Sequence, residues 1–284
     1  MHALVHFNGQ IVDAARARIA SVSAALLYGR GVFTTLALYR GRPFLWPQHW
    51  MRLVEHARRA GLDTGALDQE RVEAALSELI EANKVRDGRA HVMLLARQGR
   101  GVWKMKGAGA HRTDLLIMTG EPHSVDKDGL AVTVSPYRTN TLSPLAGIKS
   151  ISYLERIIAW EEARARDFDE AVQLNERGEV AAATMANLFW VTDGHVHTPA
   201  LSTACVAGIT RAHVITLAHE LAIPVVEGVY ELSDLGHADE IFLTSSGLGL
   251  CLVTTFDFHR YTIPVGSIAL RLQEAFRQLQ FHAQ

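Results

Sequence analysis

Cysteine and long apolar runs are scarce in this sequence of 284 residues. Its two cysteines, Cys205 and Cys251, lack the close spacing of a zinc site and are too few for a disulfide framework. No apolar run approaches the roughly 18 residues that a membrane helix needs. The N-terminal residues do not combine a basic segment with an apolar one, so we expect no signal peptide. These absences predict a cytoplasmic protein with no membrane contact and no metal site.

The sequence also lacks an excess of charge of either sign. Its 28 basic and 30 acidic residues give a formal net charge of -2. Such a balance offers no electrostatic basis for binding nucleic acid or an anionic membrane. At roughly 150 residues per domain, the length predicts two domains.

Strands and helices alternate in the first part of the chain. β-branched and aromatic residues, turn signals and apolar periodicity predict strands over 32–39, 91–96 and 115–118. A helix is predicted from Pro47 to near Gly61, with Met51, Leu53, Val54 and Ala57 on its apolar stripe. A second helix starts after a predicted N-cap, Asp68, with an apolar stripe of Val72, Leu76, Leu79 and Ile80.

The polar, turn-rich segment 120–129 is predicted to be a linker. It divides a small N-terminal α/β domain, residues 1–119, from a larger domain, residues 130–284. The larger domain has predicted strands over 130–137, 171–174, 187–191, 240–244 and 252–256, and helices over about 151–166, 210–221 and 267–279. In the first of these helices, Leu154, Ile157, Ile158 and Ala163 are expected to face inward. This pattern predicts an α/β (α+β) protein with mixed sheets, whose strand order the sequence leaves open.

Lysine is rare, and one of the five lysines, Lys149, lies among small and apolar residues just before a predicted helix. Burial lowers the pKa of an ammonium group, and a neutral amine is what a Schiff base with an aldehyde cofactor requires. The alternative is a lysine that buries its stem and extends its charge to solvent. The window alone favours that alternative.

Three further segments have the composition of a phosphate site. Arg52 lies on the helix that follows a buried strand, Thr210 follows Gly208 at a helix start, and Ser246 follows a strand end. Each has an ordinary structural reading as well: a surface ion pair, an N-cap and a turn, respectively. Together with Lys149, however, they favour a bound pyridoxal 5'-phosphate (PLP).

In order and spacing, these segments resemble the class IV aminotransferase family, the fold type IV group of PLP enzymes. The resemblance runs over nearly the whole chain. The segments that carry it are 28–33, 49–53, 147–149, 169–171, 186–189, 197–199, 208–211 and 238–244. The group includes branched-chain and D-amino-acid aminotransferases and 4-amino-4-deoxychorismate lyase. The resemblance implies a two-domain fold with a small N-terminal domain, a cofactor held in the cleft between the domains, an amino-bearing small-molecule substrate and a homodimer.

Matched motif by motif, the resemblance implies roles for individual residues. Lys149 would attach the cofactor and move protons, and Tyr153 would place a hydroxyl near the ring oxygen. The phosphate would be held by Arg52, Ile209, Thr210 and Ser246. Thr35, Arg97 and Arg100 would contact the substrate. The two arginines lie in an arginine-glycine segment similar to that of the family.

One position departs from the family pattern. Most members carry a glutamate that pairs with the pyridine nitrogen two residues after the valine matched by Val180, and here Ala182 stands in its place. Without that partner the ring is a weaker electron sink. Glu179 is a poor substitute because strand alternation sends it to the opposite face. Thr184 or a water molecule remains as a neutral partner for the nitrogen.

The departure bears on the reaction. Transamination depends heavily on the ring as electron sink, whereas the lyase reaction expels pyruvate and forms an aromatic product. We therefore expect a lyase that forms 4-aminobenzoate, a folate precursor. A branched-chain or D-amino-acid aminotransferase is the alternative, and a PLP-binding protein with little catalysis is the third reading.

Overall fold

The computed structural model describes residues 1–97, 112–123 and 129–282. The chain divides into two compact units, Met1–His123 with Ile148–Ser152, and Ser124–Gly147 with Tyr153–Gln284. The predicted division placed all of 130–284 in one domain. In the structure, Ile148–Ser152 belongs instead to the first unit. This segment hydrogen-bonds to strand residues of that unit, and Ile148 is part of its core.

In the first unit, the described residues form one antiparallel sheet in the order β2-β1-β6-β5-β3-β4. Its strands are β1 Leu4–Phe7, β2 Gln10–Asp13, β3 Gly31–Tyr39, β4 Arg42–Pro43, β5 Gly88–Ala96 and β6 Thr113–Gly120. Its helices are α1 Ala24–Tyr28, α2 Trp46–Arg59 and α3 Gln69–Ala82.

Local sequence accounts for the two long helices of this unit. The Asp68 carboxylate accepts from the Arg71 N–H at 2.8 Å, which confirms the predicted N-cap of α3. The predicted stripe of α3 is buried. In α2 the buried face differs from the prediction: Met51 is 69% exposed, and His49 and His56 are buried instead. Helix α2 thus turns polar side chains towards β3.

In the second unit, the described residues form a mixed sheet in the order β12-β11-β10-β13-β14-β7-β8-β9, with β15 pairing with β14. Its strands are β7 Leu130–Val134, β8 Glu170–Leu174, β9 Val180–Ala183, β10 Asn187–Thr192, β11 His195–Pro199, β12 Val225–Gly228, β13 Glu240–Ser245, β14 Gly249–Phe256 and β15 His259–Arg260. Its helices are α4 Leu154–Ala165, α5 Ile209–Glu220, α6 Leu232–Leu235 and α7 Ile268–His282, with a short 3-10 helix at Leu201–Thr203. The predicted α/β class with a mixed sheet is confirmed.

The inward face of α4 differs from the prediction. Leu154 and Ile158 are 68% and 43% exposed, whereas Ala163 is buried as predicted and Ala159 is buried beside it. Alanines let a helix approach its sheet closely, so the small residues and not the large ones form the contact face towards β7 and β8. Among the described residues, no helix is long and apolar enough to span a membrane.

Candidate functional site

The backbone of Lys149 is attached to the start of β3. Its carbonyl accepts from the Phe33 N–H at 3.0 Å, and the Ile151 N–H donates to the Gly31 carbonyl at 3.1 Å. Ser150 and Val32 form the bridge pair between these two bonds. The first unit therefore fixes where the lysine backbone lies.

Two glycines of the segment 28–33 make this attachment possible. A Cβ on Gly29 would lie 2.2 Å from Oγ of Ser152, and one on Gly31 would lie 2.8 Å from Cδ1 of Ile151. Gly29 also has a φ of 62°, in the left-handed region that glycine occupies without strain. The glycines at these positions provide the room that the lysine segment needs.

The Lys149 amine lies on an aromatic face of β3. Its Nζ is 4.5 Å from the centroid of the Phe33 ring, and that ring stacks on His91 at 5.8 Å. Burial lowers the pKa of His91 to about 4, with additional repulsion from Lys149 and Arg89. His91 is therefore an uncharged neighbour at neutral pH.

His56 contacts the lysine segment from α2. The backbone N–H of Lys149 donates to Nδ1 of His56 at 3.1 Å. Burial, followed by repulsion from Arg52 and Arg59, lowers the pKa of His56 to about 4. The ring is neutral at physiological pH, with its proton on Nε2. Sequence reasoning missed this residue, although its place in the amphipathic helix between apolar positions was a signal.

Arg52 lies on the same face of α2 as His49 and His56. Its Nη2 donates to Oγ1 of Thr34 at 3.0 Å, and that hydroxyl lies 2.6 Å from Nδ1 of His49. Thr34 is fully buried and faces α2. Thr35, the next residue along β3, faces the other side and contacts Nδ1 of His91 at 3.3 Å. Thr35 thus shares the Phe33 face of the sheet, where the Lys149 amine lies.

In the second unit, Gly208 is the N-cap of α5 and lies close to the Asn187 side chain. A Cβ on Gly208 would lie 2.0 Å from Oδ1 of Asn187, so no larger residue fits there without movement. Nδ2 of Asn187 donates to the Val206 carbonyl at 2.9 Å and so ties down the loop before the helix. Ile209 and Thr210 form the first turn, with Thr210 buried. The N–H groups of a first helical turn attract phosphate.

Ser246 directly follows β13, against which α5 packs. It is partly buried, and it lies in the same unit as Ile209 and Thr210. Two of the predicted phosphate ligands and this hydroxyl therefore belong to one compact unit. Arg52 and Lys149 belong to the other.

Ala182 lies in β9 directly opposite Gln173 of β8, and both side chains are 4% exposed. The Tyr153 hydroxyl lies 3.5 Å from the Thr184 carbonyl oxygen in the same unit. No carboxylate projects from position 182, so the structure does not restore the missing glutamate at that position.

Two glutamates in or next to this strand pair, Glu170 and Glu179, have other partners. The Glu170 carboxylate accepts from the N–H groups of Ala171, Thr184 and Met185 and from the Thr184 hydroxyl. Burial raises the pKa of Glu170, and these donors partly offset that effect. Glu179 accepts from Arg177 at 2.6 Å and from Asn175 at 2.6 Å. Neither carboxylate can replace the glutamate that Ala182 lacks.

Arg97 and Arg100 are the predicted substrate arginines. Nε of Arg97 lies 2.7 Å from the Asp114 carboxylate, which is nearly buried, while the arginine side chain is 51% exposed. Arg100 lies outside the described residues.

The donor set fits PLP. An aldehyde needs a primary amine, which Lys149 presents over the Phe33 ring, while the nearby imidazoles of His56 and His91 are neutral. A phosphate dianion needs backbone N–H groups, hydroxyls or a guanidinium. The second unit offers the N–H groups of the first turn of α5 and the Ser246 hydroxyl, and the first unit offers the Arg52 guanidinium. The Asn187 side chain lies so close to Gly208 that it restricts the conformation of the loop before α5.

Comparisons with known proteins agree with this chemistry. The family described as "Amino-transferase class IV" matches residues 31–256. A Methanocaldococcus jannaschii protein with a provisional assignment as a branched-chain-amino-acid aminotransferase is 32% identical over 97% of this chain and 96% of its own length. The aminodeoxychorismate lyase of Bacillus subtilis is 28% identical over 97% of this chain and 94% of its own length.

The structural comparison points the same way. The branched-chain aminotransferase of Thermoproteus uzoniensis, solved with norvaline, superposes with a TM-score of 0.91 at 27% identity. The match covers 99% of this chain and 96% of that one. The chain therefore belongs to the class IV aminotransferase family and is a PLP-dependent enzyme.

Proposed function

We propose that this enzyme is a lyase that converts 4-amino-4-deoxychorismate into 4-aminobenzoate and pyruvate, a step that supplies folate precursors. The observation that carries the proposal is the methyl group of Ala182 where most relatives place a carboxylate, while Glu170 and Glu179 are bound elsewhere. The similarity to the Bacillus subtilis lyase supports it.

The missing carboxylate favours one reaction over the other. PLP, when bound, supplies an electron sink whose strength depends on the proton at its ring nitrogen. A site without an acidic partner for that nitrogen suits a reaction that draws its driving force from the product. Release of pyruvate with formation of an aromatic ring is such a reaction, whereas transamination gains no comparable driving force.

We propose the following roles for individual residues. The Lys149 amine binds the cofactor aldehyde covalently and, once released, accepts and returns a proton at its Nζ. The Phe33 ring lies 4.5 Å from this amine. His56, which accepts from the Lys149 backbone N–H, and His91, which stacks on Phe33, add no charge at neutral pH. Tyr153 would place its hydroxyl near the ring oxygen of the cofactor.

The remaining roles concern phosphate and substrate. The phosphate is held by Arg52, Ile209, Thr210 and Ser246. Thr35 lies on the lysine side of β3 and is proposed to contact the substrate amino or carboxylate group. Arg97, oriented by Asp114 at 2.7 Å, is proposed to bind a substrate carboxylate together with Arg100.

An aminotransferase is the second candidate, because the 32%-identical relative and the superposed structure carry that assignment. A PLP-binding protein with little catalysis is the third. Each candidate is proposed as a homodimer, and the two buried, unpaired thiols suit the reducing cytoplasm.

Product analysis separates the candidates. The purified enzyme is incubated with 4-amino-4-deoxychorismate, and 4-aminobenzoate and pyruvate are quantified by chromatography. In parallel, the enzyme is incubated with single amino acids while conversion of the bound cofactor to its pyridoxamine form is followed by absorbance. The proposal predicts product release in the first assay and negligible conversion in the second; the reverse pattern would establish the aminotransferase.

A further inference from the structure

The guanidinium of Arg156 lies beside the strand pair that carries Ala182. Arg156 is in the first turn of α4, and its Nη1 donates to Oε1 of Gln173 at 3.4 Å and to the Thr184 carbonyl at 3.2 Å. Gln173 is the cross-strand partner of Ala182, and Thr184 follows Ala182 closely in the chain. The guanidinium therefore borders the position where most relatives place a glutamate.

Arg156 still has donors to offer at this position. Among the described residues, both of its hydrogen bonds come from Nη1. Its guanidinium carbon is 5.8 Å from the centroid of the Tyr153 ring. The N–H groups of Nε and Nη2 can therefore reach a further acceptor.

Thr184, the neutral candidate for a partner of the ring nitrogen, already has another partner. The Thr184 hydroxyl donates to the Glu170 carboxylate, so its single proton is used there. The Gln173 carbonyl oxygen accepts from Arg156, which turns this side chain towards the guanidinium as well. Of the groups around Ala182 named above, the Arg156 guanidinium is the charged one, and it still has N–H groups to donate to a ring nitrogen.

We propose that Arg156 replaces the missing glutamate at the cofactor's ring nitrogen and holds that nitrogen unprotonated. A guanidinium has only donors and keeps its charge in proteins, so a nitrogen that faces it must act as an acceptor. Its positive charge also opposes protonation of the nitrogen. The negative charge of a glutamate at this position instead favours protonation of the nitrogen. The proposal rests on PLP binding and is independent of whether the reaction is a lyase or a transaminase reaction.

The protonation state of the nitrogen can be measured directly. The cofactor-free enzyme is reconstituted with PLP that carries an isotope label at the pyridine nitrogen, and nitrogen NMR spectra are recorded over the neutral pH range. The variants are Arg156→Gln, which removes the charge, and Arg156→Lys, which keeps it. Arg164→Gln is the matched control, because it removes an exposed charge of the same helix that pairs with Asp169.

We expect the wild-type, Arg156→Lys and Arg164→Gln proteins to give the signal of an unprotonated pyridine that does not change with pH. In Arg156→Gln the signal should move towards the protonated form as the pH falls. A protonated nitrogen in the wild type overturns the proposal, and so does an Arg156→Gln signal identical to that of the wild type.

If Arg156→Gln does not fold or does not bind PLP, the wild-type and Arg156→Lys signals decide, since a protonated nitrogen in either contradicts the role of the cation. If the wild type does not bind PLP, the proposal for Arg156 fails together with the assignment of the cofactor. A normal nitrogen signal in an enzyme that releases no 4-aminobenzoate would instead refute only the lyase reaction.

Discussion

The backbone N–H of Lys149 donates to Nδ1 of His56 at 3.1 Å, and this bond joins the lysine segment to helix α2. It requires an Nδ1 without a proton. The pKa of His56, lowered to about 4 chiefly by burial and then by Arg52, provides that state at neutral pH. The position of Lys149, the proposed catalytic lysine, therefore depends on the charge of a histidine in another element.

This relationship predicts how stability changes with pH. A histidine with a lower pKa in the folded state binds a proton more readily when unfolded, so protonation favours unfolding. Stability should fall as the pH falls from about 6.5 towards 4. For His56 the loss is on the order of 2 kcal/mol after allowing for partial solvent screening. Thermal unfolding of the cofactor-free protein over this pH range measures it.

The variant His56→Asn keeps an acceptor close to the position of Nδ1 but cannot be charged. We expect it to flatten the dependence of the unfolding temperature on pH. His259→Asn, which changes an exposed histidine, should leave the wild-type slope unchanged. Identical slopes in all three proteins would show that His56 does not contribute.

Lys149→Ala should abolish covalent attachment of PLP. Borohydride reduction of the wild type should fix the cofactor on the peptide that contains residue 149, as detected by mass spectrometry, and the variant should show no adduct. Lys84→Asn is the control, because Lys84 is exposed and has a φ of 55° that asparagine tolerates. A reduced adduct on another lysine of the wild type would refute the assignment.

Gly208→Ala should weaken PLP binding. The added Cβ would lie 2.0 Å from Oδ1 of Asn187, so either the amide or the first turn of α5 must move. Displacement of those N–H groups should raise the Kd for PLP about tenfold or more, equivalent to about 1.4 kcal/mol or more. Titration followed by absorbance measures it. Gly65→Ala, in an exposed loop where the added Cβ meets only the Asp63 side chain, should bind PLP as tightly as the wild type.

Ala182→Glu should raise the rate of the half-reaction with amino acids, because it restores an acidic partner for the ring nitrogen. Arg156 would pair with the new carboxylate and limit the gain. We therefore expect a larger increase in the double variant Ala182→Glu, Arg156→Gln, measured by stopped-flow absorbance. Equal or lower rates in both variants would mean that the site is adapted to a neutral pyridine and cannot be converted by one carboxylate.

The sequence predicts the parts of this fold that have strong local signals. The Asp68 cap and the apolar stripe of α3 were predicted because capping and helical periodicity act within one element. Strands β1, β2, β9, β11 and β12 were not predicted, because each has only four or five residues and is stabilised by its neighbours in the sheet.

The candidate site was predictable to a similar extent. Motif spacing indicates Lys149 and the phosphate ligands, since each motif is continuous in sequence. The contacts of His56, His91 and Arg156 join different elements. The pattern within one element can indicate that such a residue is buried, as for His56, but not which residue it contacts. The exposed side chains of Leu154 and Ile158 show the same limit, because apolar character alone does not decide which face a helix buries.

We propose that this PLP enzyme, with Ala182 in the place of a glutamate, acts as a lyase. The most direct test is to quantify 4-aminobenzoate and pyruvate after incubation of the PLP-loaded enzyme with 4-amino-4-deoxychorismate. We predict that the two products form in equal amounts and that Lys149→Ala forms neither. The claim would be contradicted by an absence of 4-aminobenzoate in an enzyme that converts its bound cofactor to the pyridoxamine form with an amino acid.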